Sequence, residues 1–231
     1  MNRKQQRLNR ERGNALIEFA LVTTMLIPLL GGSFTIGMCV ANSIKMSAVC
    51  REAAVLFLRA TIDPAGGFDL SQSYNQAIIV RAAAGLGMNL PGTNLPNPSG
   101  LGAVILSRVV RVGDAECSAG VVPPPSPFPG WSTSNCANYG SYVLAGRIVI
   151  GNGSRFSSRI GTPPAGALQA DGTVSAHNIA TNSGLQAPGF ASVLPLNLST
   201  FALVSEMYTD LSRINLFSIL KNPVVYVRNF T

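Results

Sequence analysis

The sequence predicts an α+β protein in which a long N-terminal helix, transmembrane in its first half, precedes a small domain with a second helix and an antiparallel sheet. Three observations give this prediction. Residues 19–44 form a run of 26 positions without a formal charge. A helical pattern of apolar residues continues from this run to Ala60. The rest of the chain contains short segments rich in Val, Ile and Leu, bounded by Gly, Pro and Asn, which is typical of strands.

A membrane span is predicted for residues 19–44. As an α-helix this run would be about 39 Å long at 1.5 Å per residue, enough to cross a hydrocarbon layer of about 30 Å. A secretory signal peptide is the competing interpretation of a basic start followed by an apolar core. The run is longer than a signal core and continues into a helical pattern, so we expect the helix to stay in the mature protein.

The charges of the N-terminal leader predict the orientation of this span. Met1 to Gly13 contains five basic residues and one acid, so it supplies +4 of the net charge of +7. Basic segments next to a span stay on the cytoplasmic side. We therefore expect a cytoplasmic leader at 1–13, a transmembrane and spine helix at 14–60, and an exported domain at 61–231. Because most of the charge belongs to the leader, nucleic-acid binding is not indicated.

Residues inside the long helix have separate predicted roles. Pro28 lies in the middle of the span, where its missing donor and its ring kink or locally melt a helix. Cys39 and Cys50 are predicted to serve in helix packing. Beyond the span, one face of the helix should form the spine of the exported domain. That face carries the apolar residues Met46, Val49, Ala53, Leu56, Phe57 and Ala60.

A second helix is predicted at about 70–86, near the start of the exported domain. Asp69 or Ser71 can cap its first turn, since both side chains accept hydrogen bonds from free backbone N–H groups. Gly85 or Gly87 can stop it, because Gly adopts the left-handed conformation that ends many helices. The helix is therefore bounded on both sides by residues suited to those positions.

Four strands are predicted in the exported domain. They cover residues 103–112, 142–150, 200–208 and 224–227. The first two are expected to pair antiparallel across the long segment between them. Residues 151–195 have weak periodicity, with short strands placed around 155–160 and 174–179. Residues 211–220 fit either a helical turn or an apolar flap.

Two cysteines of the exported part are candidates for a disulfide. Cys117 and Cys136 are 19 positions apart and flank a Pro-rich loop. In an oxidising compartment two such cysteines commonly pair, and closing a loop of this size contributes about 3 kcal/mol in the chain-entropy model. We therefore predict a disulfide between them, with two free thiols as the alternative.

Few residues suggest catalysis or metal binding. His177 is the only histidine, so a metal site or a His-based triad has little to build on, and a solvated loop position is expected. Gly151-Asn152-Gly153 lacks the Lys and the helix of a phosphate loop and is interpreted as a turn that ends a strand. Asp114 and Glu116 are interpreted as surface loop charges. We expect no metal, no cofactor and no enzymatic activity.

Glu18 stands at the edge of the predicted span. A carboxylate there is costly unless it is paired or reaches the cytoplasmic interface. Cleavage after Gly13 would create a new amine on Asn14, four residues away, as a cation of matching charge. This amine, in the same helix or on a neighbouring subunit, is the predicted partner of Glu18, and snorkelling to the interface is the alternative.

The N-terminal residues resemble a known family. A basic leader, Gly13, the segment Asn14-Ala15-Leu16-Ile17-Glu18-Phe19 and an apolar helix are similar to the type IV pilin class. The segment RGNALIEFALV followed by Pro28 resembles the TadE-like pseudopilins of tight-adherence (Tad/Flp) systems. A weaker similarity lies in residues 204–208, Val-Ser-Glu-Met-Tyr, which resemble the strand ending in Glu and Tyr of that family. The resemblance covers mainly residues 12–60.

The resemblance implies a function in pilus assembly. A prepilin peptidase would cut between Gly13 and Asn14, Glu18 with Phe19 would steer assembly, and other pilin subunits and an assembly platform in the bacterial inner membrane would be partners. The exported domain is larger than in the major Flp pilins, which favours a minor subunit concerned with surface attachment. Asn14 departs from the family, whose mature chains often start with an aromatic or small residue. A membrane-tethered exported binding module that is neither processed nor assembled is the alternative.

Overall fold

The computed structural model describes residues 3–62, 73–84, 100–121, 135–210 and 224–231, with residues 3–15, 61–62, 73–75 and 121 given by backbone alone. Its elements are, in chain order, α1 (Arg3–Ile62), α2 (Ser73–Ala84), β1 (Gly102–Arg111), α3 (Asp114–Val121), β2 (Tyr142–Gly151), α4 (Ala176–Thr181), β3 (Thr200–Asp210) and β4 (Val224–Phe230). Two short 3-10 turns, Ser183–Leu185 and Pro188–Ser192, precede β3. The chain is therefore an α+β protein with a long N-terminal helix, a second helix and an antiparallel sheet, as predicted.

Helix α1 is one continuous helix of 60 residues with two different environments. Between Leu16 and Ile44 most of its large apolar side chains are exposed, because the described part of the chain does not cover them. Beyond Ile44 one face is buried against the sheet. That face contains Met46, Val49, Cys50, Ala53 and Phe57, with Leu56 and Ala60 partly buried beside them. The predicted spine of the domain is confirmed.

Helix α2 packs beside the second half of α1. Ile79 and Ala83, four positions apart and so on one face, are buried in the same core as the α1 spine. Ile78 points away and is exposed. The predicted second helix is confirmed with shorter bounds. Its proposed cap and stop residues lie outside the described residues.

The sheet has the strand order β2-β1-β3-β4, and every neighbouring pair is antiparallel. All four predicted strands are confirmed, as is the pairing of β1 with β2. Between Arg108 and Val109 the register shifts by one residue, because Ala145 forms a bulge in β2, and such a bulge bends the strand that carries it. Loop residues cover the outer edge of β2, where Thr173 bridges Gly146 and the Arg147 N–H donates to the Gly172 carbonyl at 2.7 Å.

The two faces of the sheet have different partners, because successive strand residues point to opposite sides. One face carries Val104 and Met207 and packs on the second half of α1. The opposite face carries Ile105 and Tyr208, and Phe156 packs on them. Towards Arg111, the sheet joins a third core that includes Cys117, Cys136 and side chains of α4. A polar cluster on the face opposite α1 is described below.

Two short strands predicted in the 151–195 region are wrong. Around 174–179 the chain makes isolated bridges at Thr173 and Val174 and then enters α4. Ser175 caps this helix, since its hydroxyl accepts a hydrogen bond from the Asn178 N–H at 3.3 Å. Residues 155–160 form turns and irregular structure instead of a strand. Residues 211–220 lie outside the described residues.

Helix α3 was not predicted, and the interpretation of Asp114 and Glu116 as loop charges is wrong. Both acids lie in the first turn of α3, where they complement the positive end of the helix dipole. The Glu116 carboxylate accepts a hydrogen bond from the Gly113 N–H at 2.9 Å, which satisfies a donor that the helix itself leaves free. These acids therefore stabilise a helix start.

Candidate functional site

The exposed half of α1 is the first candidate site. Phe19 is 70% exposed and Met25 is 72% exposed, so large apolar side chains stand clear of the folded domain. From Leu16 to Ala60 the helix is long and apolar enough to cross a membrane, with a mean hydropathy of 1.8 in its most apolar window. By length and composition, the chain fits a single-pass membrane protein.

The predicted processing site, Gly13 and Asn14, lies inside α1. The helix begins at Arg3, so the backbone on both sides of Gly13 is helical. A peptidase that binds its substrate in an extended form would have to unwind this part of the helix. Gly lowers the cost of that step, because Gly inside a helix is less stable than Ala by about 0.5–1 kcal/mol.

The predicted assembly residues, Glu18 and Phe19, both lie on exposed parts of α1. Within the described residues Glu18 makes no ion pair. Asn14 and Glu18 are four positions apart, so they share one side of the helix about one turn apart. A free amine produced at Asn14 would therefore come within reach of the Glu18 carboxylate.

Helix α1 passes through Pro28 without a break, so the predicted local melting does not occur. Pro28 has no N–H to donate to the Thr24 carbonyl. On either side of it, the Thr24 hydroxyl donates to the Ala20 carbonyl at 2.7 Å and the Thr35 hydroxyl donates to the Gly31 carbonyl at 2.8 Å. Such bonds bend helices slightly, and the kink at Pro28 remains a prediction.

The two unpaired cysteines lie on α1 in different surroundings. Cys50 is fully buried, and its thiol donates to the Ser205 carbonyl at 3.0 Å, with the Ser205 hydroxyl at 3.2 Å. Cys50 therefore fixes the register of α1 against β3, which agrees with its predicted packing role. Cys39 is half-buried within the predicted span.

Cys117 and Cys136 form the predicted disulfide, with their Cα atoms 5.7 Å apart. The bond joins α3 to the segment just before Asn138. The Asn138 side chain in turn donates to the Ile179 carbonyl at 2.9 Å and to the Asn182 carbonyl at 3.0 Å. The disulfide therefore links α3 to α4 through one buried asparagine.

The contact between α3 and α4 contains the only histidine of the chain. His177 lies in α4, which corrects the predicted loop position, and its Nδ1 is 3.1 Å from the Gly120 carbonyl oxygen. A Cβ at Gly120 would come within 2.3 Å of the Ala176 carbonyl oxygen, so the helices approach as closely as this Gly allows. The side chain of His177 is exposed, as predicted.

A buried carboxylate forms the second candidate site. Glu206 has no exposed surface and lies in the middle of β3, on the face opposite α1. Its Oε1 atom accepts hydrogen bonds from the Arg159 N–H at 3.1 Å and from the Tyr226 and Tyr208 hydroxyls at 2.8 and 3.3 Å. Its Oε2 atom accepts a hydrogen bond from the Ser158 hydroxyl. One carboxylate therefore fastens the loop around 158–159 and β4 to the sheet.

Arg147 of β2 extends this cluster across β1. Its side chain is buried and donates to the Ser107 hydroxyl at 3.0 Å, the Gly161 carbonyl at 2.6 Å and the Ser158 hydroxyl at 3.0 Å. Burial lowers the pKa of the Arg147 guanidinium, and the Glu206 carboxylate opposes that shift. Ser158 thus bridges a buried cation and a buried anion.

The two tyrosines of the cluster stay protonated far into the alkaline range. Burial raises the pKa of Tyr208 to about 12, and the charge of Glu206 and its hydrogen bond add to the effect. The pKa of Tyr226 is raised in the same direction, first by burial and then by its hydrogen bond to Glu206. Both hydroxyls therefore act as donors to the carboxylate at neutral pH.

Three arginines close to this cluster stack on aromatic rings. The pairs are Arg155 on Phe156 at 5.7 Å, Arg159 on Tyr226 at 4.1 Å and Arg228 on Phe230 at 4.9 Å, measured from Cζ to the ring centroid. Arg155 also forms an ion pair with Asp210. Within the described residues Arg159 and Arg228 form no ion pair.

The Gly151-Asn152-Gly153 segment is a turn that ends β2, as predicted. Gly151 has a φ of 94°, a conformation that favours Gly. Asn152 is buried, and its side-chain amide donates to the Gly100 carbonyl at 2.9 Å. The segment therefore fixes the chain before β1 and takes no part in a phosphate loop.

Chemically, the described residues hold no group of three or more His, Cys, Asp or Glu side chains that could bind a metal ion. Comparison of the chain with known protein families, with curated proteins and with solved structures gives no match.

Sequence reasoning placed Glu206 on a strand but assigned it no partners. The available signal was a single acid within the apolar run FALVSEMY.

Proposed function

We propose that this protein is a minor pilin or pseudopilin of the tight-adherence type, which takes part in pilus assembly and surface attachment from a bacterial inner membrane. The observation that carries the proposal is the division of α1. Its first half exposes apolar side chains from Leu16 to Ile44, and its second half forms the core of a folded domain. A subunit that leaves a bilayer and enters a filament needs such a helix.

The exposed half of α1 suits exchange between lipid and protein neighbours. In a bilayer its side chains would contact acyl chains, and in a filament they would contact the same segment of other subunits. Both surroundings are apolar, so the hydrophobic cost of moving between them is small. Glu18 is then the group that distinguishes the bilayer from the filament, because an unpaired carboxylate in an apolar setting is costly and a neighbouring subunit can supply a partner.

Processing by a prepilin peptidase is the chemical step that prepares this exchange. Hydrolysis of the peptide bond between Gly13 and Asn14 consumes one water and leaves a carboxylate on Gly13 and an amine on Asn14. The amine is one helical turn from Glu18, on the same side of α1. Removal of the basic leader also removes the charges that hold the N-terminus in the cytoplasm.

The experiment that tests the proposal is N-terminal mass determination on protein purified from its own membrane. A chain that begins at Asn14 is expected. In addition, a reporter that is active only outside the cytoplasm, fused after Thr231, should be active. A mature chain that still begins at Met1 or Asn2 would remove the main support for a pseudopilin.

A membrane-tethered exported binding module is the second candidate. The observation that favours it is the continuity of α1, which includes the leader from Arg3 onward and passes Gly13 without a break. Such a protein would keep its leader and would act through the surface of its exported domain. The same mass determination separates the two candidates, since only the first requires cleavage.

A further inference from the structure

A cationic surface lies on the sheet face opposite α1. We define it by the side chains of Arg159 and Arg228, which flank the buried Glu206. Arg159 donates its backbone N–H to Glu206, and Arg228 is the residue paired with Glu206 across the β3–β4 ladder. Both guanidinium groups also act on Tyr226, one by stacking on its ring and the other by its charge.

Glu206 does not neutralise this surface by direct pairing. Its two oxygens are occupied by two tyrosine hydroxyls, a serine hydroxyl and a backbone N–H, and its side chain is fully buried. Asp210, the other acid on this side, is paired with Arg155. Within the described residues Arg159 and Arg228 have no carboxylate partner, and unlike Arg147, which also lacks one, they are not buried.

The two guanidinium groups each contact an aromatic ring. Each lies over an aromatic ring, Arg159 at 4.1 Å from the Tyr226 centroid and Arg228 at 4.9 Å from the Phe230 centroid. Stacking uses the flat face of the group and leaves its N–H edge for planar anions such as carboxylates. Because the ring contacts favour these side-chain positions, less conformational entropy is lost on binding.

The direction of this surface argues against a bilayer as its partner. A helix that packs on a sheet lies roughly parallel to the sheet, so the normal to the sheet is roughly perpendicular to α1. Membrane-spanning helices tilt on average by only about 20°. If α1 spans the membrane as proposed, the face opposite it looks sideways, along the membrane rather than towards it.

The composition of the surface also argues against a protein partner. Protein interfaces typically centre on a desolvated core in which exposed aromatic and other apolar side chains become buried by the partner. Here the rings of Tyr226 and Phe230 are already covered by the arginines, and Phe156 and Tyr208 are buried. What remains available for a ligand is the N–H edges of the Arg159 and Arg228 guanidinium groups.

From these observations we infer that the surface formed by Arg159 and Arg228 binds an acidic polysaccharide, a polymer whose uronate carboxylates repeat along the chain. A polyanion needs no apolar core, and each carboxylate can accept two hydrogen bonds from one guanidinium. This extends the proposed function by naming a partner class, and it rests on that proposal only for the orientation of α1.

The test measures binding of the full-length protein, in micelles of an uncharged detergent, to immobilised polygalacturonate and to neutral dextran. The wild-type protein should bind polygalacturonate and not dextran, and added salt should weaken binding. Replacing both Arg159→Gln and Arg228→Gln should weaken binding at least about tenfold, since charge-assisted hydrogen bonds are lost. Arg81→Gln, which removes one exposed cation from α2, should leave affinity within about twofold.

A second pair of substitutions separates loss of fold from loss of the site. Arg159→Lys with Arg228→Lys keeps both charges but removes the planar forks, and it should give intermediate affinity. Equal binding to dextran, an equal loss in Arg81→Gln, or unchanged affinity in the double Gln variant would overturn the inference. So would preference for anionic lipid vesicles over polygalacturonate. None of these measurements requires cleavage or assembly, so they succeed or fail independently of the pseudopilin proposal.

Discussion

Replacing Glu206 by Gln should destabilise the domain that follows α1 more than any exposed acid-to-amide change. The amide is close in size to the carboxylate, so the substitution leaves no cavity and isolates the charge and the hydrogen bonds. The amide oxygen can still accept from the Arg159 N–H and the two tyrosines. The amide nitrogen, however, meets the Ser158 hydroxyl, which donates its proton to the carboxylate in the native protein.

The expected magnitude follows from the bonds that change. One hydrogen bond to a charged acceptor is lost, worth about 1.5–3 kcal/mol. The buried Arg147 also loses the anion that it reaches through Ser158. Breaking a buried ion pair costs about 3–5 kcal/mol, and this pair is indirect, so we expect a total near 3 kcal/mol. For a domain of this size that lowers the melting temperature by roughly 6–12 °C.

The assay is thermal unfolding of the full chain in micelles, followed by near-ultraviolet circular dichroism. That signal reports the packing of tyrosines in the domain and is insensitive to the apolar first half of α1, which contains no Tyr or Trp. Asp171→Asn is the matched control, because Asp171 is exposed and its turn tolerates an amide, so its effect should stay within about 0.5 kcal/mol. A shift below about 2 °C for Glu206→Gln would refute the assigned role of the carboxylate.

Three further predictions concern other parts of the chain. Replacing Cys117 and Cys136 by Ser should lower the free energy of unfolding by about 3 kcal/mol in a denaturant titration. Peptide mapping of the native protein without reductant should find the two residues linked, and free thiols at both positions would contradict the pairing. The Gly13→Val variant should accumulate as the uncleaved chain, which mass spectrometry would detect. The Glu18→Ala variant should be cleaved and fail to assemble. Normal piliation in the Glu18 variant would argue against its assembly role. The pKa of Tyr208 is about 12 in the folded chain and about 10 when unfolded, so the unfolded state loses its proton first. The free energy of unfolding should therefore keep its full value below pH 10 and fall between pH 10 and 12. A flat profile would contradict the burial of this hydroxyl.

The long helix and the strands were predictable because their signals are local. The uncharged run and the apolar face from Met46 to Phe57 have the period of a helix, and β1 and β3 are rich in Val, Leu and Ile. Near-continuous burial along these two strands agrees with their central positions in the sheet. The strand order itself was not predictable, since nothing local specifies which distant strand lies beside β1.

The short helices and the buried cluster were missed for a different reason. Helix α3 depends on the capping contact of Glu116 with Gly113, and α4 on the Ser175 cap, which are single-residue signals within polar segments. Glu206 could be located on its strand, but apart from Tyr208, two residues along the same strand, its partners come from a loop and from β4. Contacts between segments so far apart in sequence leave no local pattern.

The strand order has a consequence for how the domain folds as the chain emerges during synthesis. Because synthesis proceeds from the N-terminus, β1, β2 and the cysteine pair emerge before β3 and β4. The central pairing of β1 with β3 joins residues as distant as Ala103 and Tyr208, a high contact order that slows folding. Until β3 arrives, the edge of β1 and the apolar face of α1 lack the strand that covers them. During that interval the unpaired strand edge and the exposed apolar surface make the chain most prone to aggregation and proteolysis.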